Sequence, residues 1–446
     1  MTLVRCSRIR SKLFSMFFAI LVASPAIASS YGEFVVYSFP SPGAGRINSI
    51  RPHGNLITDA AGNLYGTTAQ GGEFLRGTVY RLSPPVPPGT TWTEADLYSF
   101  AGGDGGSSPQ TGLTFDQAGN LYGTTSVGGT SGLGTVFELS PPAIAGGAWT
   151  ESVLYSFQGG TSDGASPGIV GVSFDRFGNL YGATPTGGLA SGSCDANGCG
   201  VVFQLTPPGA SGGMWAEKVL YYFNGTDGSV PSGTPILDTG GNLYGLASHG
   251  GAHNAGVVYG LRAPVVSDGS WAYEVLYNFP GSGNGSPSGN LTFHGDGILC
   301  GTASGFRAQS PNPFGLVFQL VPPAVAGAPW TENILHSFGG GSDGSYPESG
   351  VVFDSAGHIY GTTIAGGTYS QSCVPGVPEA GCGIVFQLIP PTSEGGSWIE
   401  NILHVFDDNN GDVINGGVVI GKNGLLFGVT VSGGTHQNGV VYAVVR

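Results

Sequence analysis

The sequence predicts an all-β protein: a seven-bladed β-propeller with four antiparallel strands per blade and an N-terminal strand completing the last blade. Three observations carry this. An aromatic residue or Cys followed by Gly returns seven times, at Tyr65-Gly66, Tyr122-Gly123, Tyr181-Gly182, Tyr244-Gly245, Cys300-Gly301, Tyr360-Gly361 and Phe427-Gly428. Each of the first six copies holds four short runs rich in β-branched and aromatic residues. The last copy lacks its fourth run, and a matching run stands at the other end of the chain. A β-solenoid is the competing architecture, but its coils are much shorter than this period of roughly 60 residues.

In chain order, Arg5, Arg8, Arg10 and Lys12 precede the apolar run Leu13 to Val22, and Ala26-Ile-Ala28 offers small residues before Ser29. Residues 1–28 therefore read as a signal peptide, its apolar run being shorter than the roughly 20 residues a membrane span needs. Residues 29–446 read as one propeller without an internal linker. Strand 31–39 closes blade 7, and the blades cover about 52–100, 110–157, 168–223, 233–279, 288–338, 349–406 and 416–446.

The second copy shows the unit plainly. Gly112-Leu-Thr-Phe-Asp116 turns through Gln-Ala-Gly119 into Asn120-Leu-Tyr-Gly-Thr-Thr125, followed by Gly134-Thr-Val-Phe-Glu-Leu139 and Trp149-Thr-Glu-Ser-Val-Leu-Tyr-Ser-Phe157. The first turn suits a hairpin, with Gly119 left-handed and Asp116 accepting backbone N–H bonds; Asp59, Asp175, Asp238 and Asp354 hold the same place. Copy seven ends on Gly439-Val-Val-Tyr-Ala-Val-Val445. Tyr31-Gly-Glu33-Phe-Val-Val36-Tyr37-Ser-Phe39 aligns without a gap with Trp92-Thr-Glu94-Ala-Asp-Leu97-Tyr98-Ser-Phe100. Pairing the two ends closes the ring and removes two exposed edges.

Glycine makes up 82 of 446 residues, and the enrichment follows the turns, so it does not signal a disordered linker. Without the leader, 28 acidic residues face 10 basic ones, a net charge of −18. This balance excludes nucleic acid as a partner and disfavours anionic membranes. Cys194 and Cys199 flank one loop, and Cys373 and Cys382 flank the corresponding loop three repeats later, each second Cys running into a Gly and the third strand. Two local disulfides are expected, with a metal site as the alternative. Cys300 takes a slot that is Tyr in five copies and reads as a buried, inert thiol.

Gly62-Asn63-Leu64-Tyr65-Gly66-Thr67-Thr68 and Gly77-Thr-Val-Tyr-Arg-Leu82, recurring over nearly the whole chain after residue 28, resemble the GloVer-type tandem repeat proteins. The resemblance implies an exported bacterial protein and brings no activity or catalytic residues with it. Members often end in a surface-sorting anchor; the tail here ends in a strand and Arg446, which favours release over attachment. The Asp-x-x-Gly-Asn-Leu-Tyr hairpin also looks like those of NHL and other lactonase-like propellers, whose metal ligands cannot be placed on this sequence.

Function is expected on the face where the second-to-third-strand loops and the blade-to-blade connections open, because those loops vary most. His249, His253 and His436 fall there, as does the oxygen-rich run Asp407, Asp408 to Asp412, where Ca2+ is the only cofactor the sequence suggests. A Gly-rich loop gives no reason for His249 and His253 to converge on a metal. A tryptophan opens the fourth strand of six copies, with a carboxylate two residues on in five: Trp92 and Glu94, Trp149 and Glu151, Trp215 and Glu217, Trp330 and Glu332, Trp398 and Glu400; Trp271 is followed by Tyr273 instead. Two readings stand: a multivalent sugar platform, or Trp packing between blades with Glu as an outer-strand charge that blocks edge pairing. The inter-blade Asp104-Gly105, Asp163-Gly164, Asp227-Gly228 and Asp343-Gly344 are explained by turn chemistry. Two Gly-x-Ser-x-Gly matches, around Ser162 and Ser342, lie in such turns and lack the strand-to-helix elbow a nucleophile needs. The leading expectation is a monomeric, non-enzymatic scaffold binding glycan or protein. A secreted hydrolase acting on carbohydrate or a cyclic ester at the channel mouth is the alternative.

Overall fold

Antiparallel pairing builds seven blades, six with their strands in sequence order from the axis outward and the seventh taking its outermost strand from the N-terminal end, beside a two-stranded ribbon of Gly164–Ala165 and Thr186–Gly187. The structure is a computed structural model describing residues 33–40 and 50–446, except 88, 145, 191–193, 195, 210–212, 267–268, 282–284, 296, 306–312, 326, 368–372, 374–380 and 394. The leader over 1–28 and Tyr31 lie outside the described residues, as does the side chain of Glu33. Blade 1 comprises Ile50–Thr58, Leu64–Gln70, Thr78–Ser83 and Thr93–Ser99. The ring closes as the repeat alignment requires. Glu33–Ser38 pairs antiparallel with Val440–Val444, from Glu33 opposite Val444 to Ser38 opposite Val440, and the Phe39 N–H donates to the Gly439 carbonyl at 3.1 Å.

The inner strands depart from the expected uniform run. Blades 1, 4 and 5 have nine-residue inner strands, Ile50–Thr58, Ser229–Leu237 and Ser286–His294. Blades 2, 3 and 6 keep only Thr114–Phe115, Ser173–Phe174 and Val352–Phe353, and blade 7 splits into Asp412–Ile414 and Val419–Ile420. In the first group Gly54, Gly233 and Gly289, at φ +69° to +72°, form bulges beyond which pairing resumes.

The repeated Gly after the aromatic residue has a steric cause. Gly66 faces Tyr80 on the neighbouring strand, and a Cβ at Gly66 would lie 2.5 Å from the Tyr80 hydroxyl oxygen. Phe137 lies over Gly123 and Phe386 over Gly361 in the same way. The hairpin Asp also behaves as its position demands. Asp59 accepts from the N–H groups of Ala61 and Asn63, the Asn63 amide and the Tyr65 hydroxyl, and these bonds outweigh desolvation to hold its carboxyl below its ordinary range.

Packing between blades holds the ring together. The buried apolar residues divide into seven clusters, each drawn from two neighbouring blades. Every seam repeats one contact: the Phe ending a fourth strand meets edge-on the third-strand aromatic of the next blade. Phe100 lies 5.1 Å from Phe137, Phe223 5.3 Å from Tyr259, and Phe406 4.8 Å from Tyr442. The seam between blades 7 and 1 obeys the same rule, with Phe39 5.2 Å from Tyr80. Each buried Phe contributes roughly 1.5–3 kcal/mol through burial. Cys300 is buried in the cluster between blades 5 and 6, where desolvation pushes its thiol up to about 12, the inert state expected of it.

Candidate functional site

The inner strands meet around the axis backbone to backbone. A Cβ at Gly54 would lie 2.4 Å from the Gly112 nitrogen, and one at Gly416 2.5 Å from the Gly54 carbonyl oxygen. Side-chain amides pin this waist: Asn55 Oδ1 accepts from the Gly417 N–H at 2.6 Å and Asn290 Oδ1 from the Thr234 N–H at 2.7 Å. Beyond the waist lies a cavity of about 210 Å³ lined largely by Ile236, Leu291, Val351 and Val418. On the loop face the channel opens into a mouth of about 300 Å³ to which all seven blades contribute, mainly through Gly, Ser, Thr, Asn and Gln. Its ionisable lining residues are His53 of blade 1 and Glu348 of blade 6. Burial, aided by the Arg51 cation, holds the His53 imidazole down to about 4, and burial pushes the Glu348 carboxyl up. Among the described residues no hydrogen bond or ion pair joins the two.

Strain gathers just ahead of this mouth, one to three residues before its lining. Arg51, Ser108, Ser166, Val230, Tyr346 and Val413, where the chain enters an inner strand, have φ between +53° and +59°. That region costs a β-branched residue such as Val230 or Val413 most. It persists because the kinked N–H reaches the preceding blade: Ser108 donates to the Arg76 carbonyl at 2.8 Å and Tyr346 to the Phe314 carbonyl at 2.7 Å.

The variable loops rise around this mouth. Disulfides join Cys194 to Cys199 and Cys373 to Cys382 in the loops of blades 3 and 6. His249, His253 and His436 are exposed, in blades 4 and 7, and the His249 ring meets Ser248 Oγ at 2.9 Å. The acidic run diverges. Asp407 caps its own turn through the N–H groups of Asn409 and Asn410, Asp408 approaches Cys373, and Asp412 turns inward to Ser432.

The Trp and Glu series lies in the seams. Trp92 packs against Phe427, Trp271 against Tyr181 and Trp330 against Tyr244, each on the second strand of the preceding blade. The carboxylates are not the edge-blocking charges of the packing alternative. They are half-buried, and several accept from a Tyr of the preceding blade: Tyr37 to Glu94 at 3.2 Å, Tyr98 to Glu151 at 2.7 Å and Tyr277 to Glu332 at 2.7 Å. Between blades 3 and 4, Tyr273 replaces the carboxylate and stacks on Tyr221 at 3.8 Å. Between blades 5 and 6 the Tyr is replaced by His336, whose Nε2 lies 3.5 Å from Asp343 Oδ1 and 3.6 Å from Glu400 Oε1. Burial and the facing Asp343 push the Glu400 carboxyl up to about 9.

Among the described residues two sets of three ligand-type side chains converge: this one, and Cys373, Cys382 and Asp408, whose sulfurs are joined in the disulfide. Sequence reasoning placed Asp343 in a turn and Glu400 in the Trp series but passed over His336. The signal was the loss of Tyr from a slot that is Tyr in five copies.

The Gloeobacter/Verrucomicrobia repeat matches residues 30–259 and 144–375, overlapping stretches that span most of the chain. The chain belongs to this family. No curated protein matches it. Among solved structures, a Dyadobacter fermentans protein of unknown function is 13% identical, with a TM-score of 0.42 over 82% of this chain and 96% of that one. A Thermus thermophilus putative oxidoreductase (glucose dehydrogenase) is 16% identical, with a TM-score of 0.40 over 75% and 95%. The Trypanosoma rangeli sialidase, solved with sialic acid, is 12% identical, with a TM-score of 0.40 over 93% and 58%.

For this Gloeobacter/Verrucomicrobia repeat protein the seam carboxyls set a pH dependence. Burial, then Asp96, raises Glu94 to about 7 against the bond from Tyr37; burial, then Asp163, raises Glu217 to about 7. Both values stand above the ordinary 4.5. The folded state therefore keeps protons that the unfolded chain has released, and stability falls as pH rises from 4.5 to 7. Asp59 and Asp354 are shifted the other way, so their contribution is lost only below the ordinary carboxylate range. Melting temperature should drop between pH 5 and 7.5, with a smaller drop for Glu94→Gln/Glu217→Gln. His53 and His404, held down to about 4, oppose this slope below pH 6.5, so the comparison decides: equal profiles in the wild type and the double variant would contradict the assignment.

Proposed function

We propose that this protein is an exported binding scaffold that takes a neutral glycan segment at the channel mouth on its loop face. The observation that carries the reading is the chemistry of the mouth: hydroxyls, amides and backbone from seven blades, suited to sugar hydroxyls, with two ionisable groups set in different blades. Acid–base catalysis needs such groups within reach of one reacting bond. His53 is held neutral, so the mouth offers no cation to an anionic ligand, and burial raises the Glu348 carboxyl. The strained kinks support the same face, since strain is retained where the surroundings enforce it and gathers at ligand sites. Export is proposed from the basic and apolar leader before Ser29 and the two disulfides, which suit an oxidising compartment. Among the described residues no helix is long and apolar enough to cross a membrane.

The test uses the chain recovered from outside the cytoplasm, expected to begin at Ser29. A glycan array should give a defined set of neutral ligands, and His53→Ala and Gln110→Ala should each weaken the best of them about tenfold, the value of one well-made neutral hydrogen bond. Silence across the array, or binding indifferent to both substitutions, would remove the proposal. Release of a shorter sugar during incubation would favour the hydrolase reading instead.

A further inference from the structure

We propose that His336, Asp343 and Glu400 form a binding site for a first-row divalent cation of the zinc type, clamping the seam between blades 5 and 6. The three side chains come from three places: His336 from the fourth strand of blade 5, Asp343 from the turn that leads into blade 6, and Glu400 from the fourth strand of blade 6. Each offers one ligand atom, and these atoms lie within 4.8 Å of one another.

The distances themselves point to an ion. At 3.5 and 3.6 Å, the His336 Nε2 contacts with Asp343 and Glu400 are too long for good hydrogen bonds. Two ligands held at about 2.1 Å in a tetrahedral arrangement stand about 3.4 Å apart, which these spacings match. Shielding from solvent adds to this. His336 Nε2 is shielded from solvent and has no hydrogen-bond partner, and the same holds for Glu400 Oε1. Glu151 and Glu217 also leave one oxygen without a partner, so the imidazole nitrogen is the distinguishing feature.

The other seams supply the contrast. Where the slot holds Tyr98 or Tyr277, a phenol donates to the facing Glu at 2.7 Å and one polar group satisfies another. With His336 in the slot and Asp343 brought alongside, one imidazole faces two carboxyl groups across gaps that no good hydrogen bond fills. A divalent ion would fill the space between the three and use the idle nitrogen in one step. A nitrogen and two oxygens suit zinc and its first-row neighbours, leaving a position for water. The ion would tie blade 5 to blade 6 at the rim of the loop face, apart from the channel mouth.

The experiment is calorimetric titration of the full exported chain, stripped with chelator, with Zn2+ as the probe. One saturable site is expected, with a zinc-dependent rise in melting temperature. His336→Tyr installs the residue that other seams carry and should weaken zinc at least tenfold while the chain stays folded. Glu400→Gln should do the same, and it keeps the test decisive should the Tyr variant misfold. A variant with His249, His253 and His436 all changed to Ala should bind like the wild type. Absence of a saturable site, retention of affinity in both seam variants, or its loss in the triple-Ala chain would each overturn the assignment.

Discussion

Deleting residues 1–40 is expected to leave a chain that no longer folds as a stable monomer, whereas deleting residues 1–28 alone should leave the melting temperature unchanged. The longer deletion removes the outer strand of blade 7. Val440, Val441, Tyr442, Ala443 and Val444 are fully buried in the closed ring, and without Glu33–Ser38 one edge of their strand has no partner. Phe39 goes as well, and with it the edge-on contact to Tyr80 and the Tyr37 bond to Glu94. Loss of one buried Phe costs about 3–5 kcal/mol, and the other losses add to it, so the total is a large part of the roughly 5–15 kcal/mol that stabilises a whole domain. The exposed edge would invite pairing with a second chain, so aggregation or dimers should appear on size-exclusion chromatography. A synthetic peptide of residues 31–40 added in trans should restore part of the transition. A truncated chain melting within a few degrees of the full one, as a monomer, would show that closure contributes little.

The closing strand was legible because its nine residues repeat the Trp92 to Phe100 pattern position by position. The same regularity hid the role of the carboxylates. Within one repeat Glu94 and Tyr98 share a strand, yet Glu94 accepts from Tyr37, 57 residues earlier, and Glu151 from Tyr98, 53 residues earlier. Such a bond is a property of the angle between two blades, so no single unit contains both partners. The inner strands failed for a related reason: whether Gly falls one position earlier, as at Gly54, or later, as at Gly112, decides whether the upper half pairs, and both versions read alike in hydrophobic pattern. The site at His336 was the most visible in principle, since a slot that is Tyr in five copies and His in two is a departure that packing alone does not require.

The Gly that precedes each third strand lies against the next blade, and Gly77→Ala should be among the most damaging single changes in the protein. Gly77 sits at φ +97°, where a Cβ would lie 2.4 Å from the Thr68 carbonyl oxygen of its own blade and 2.7 Å from Pro109 Cδ of the next. The first obstacle is backbone within the sheet, and the second is a rigid ring at the foot of the neighbouring inner strand. Neither can swing aside as a long side chain could. A Cβ at Gly439 would likewise lie 2.7 Å from Pro52 Cδ across the closing seam, so the step recurs around the ring. Gly62 is the internal control: its φ is +87°, but a Cβ there meets nothing within 4 Å. Gly62→Ala should therefore cost only the left-handed penalty of about 1–2 kcal/mol. Gly77→Ala should add an overpacking term of about 1–3 kcal/mol or more. Chemical denaturation of the two variants separates the contributions. Equal losses at the two positions would mean that backbone conformation, and not the contact between blades, is what the repeated glycine protects.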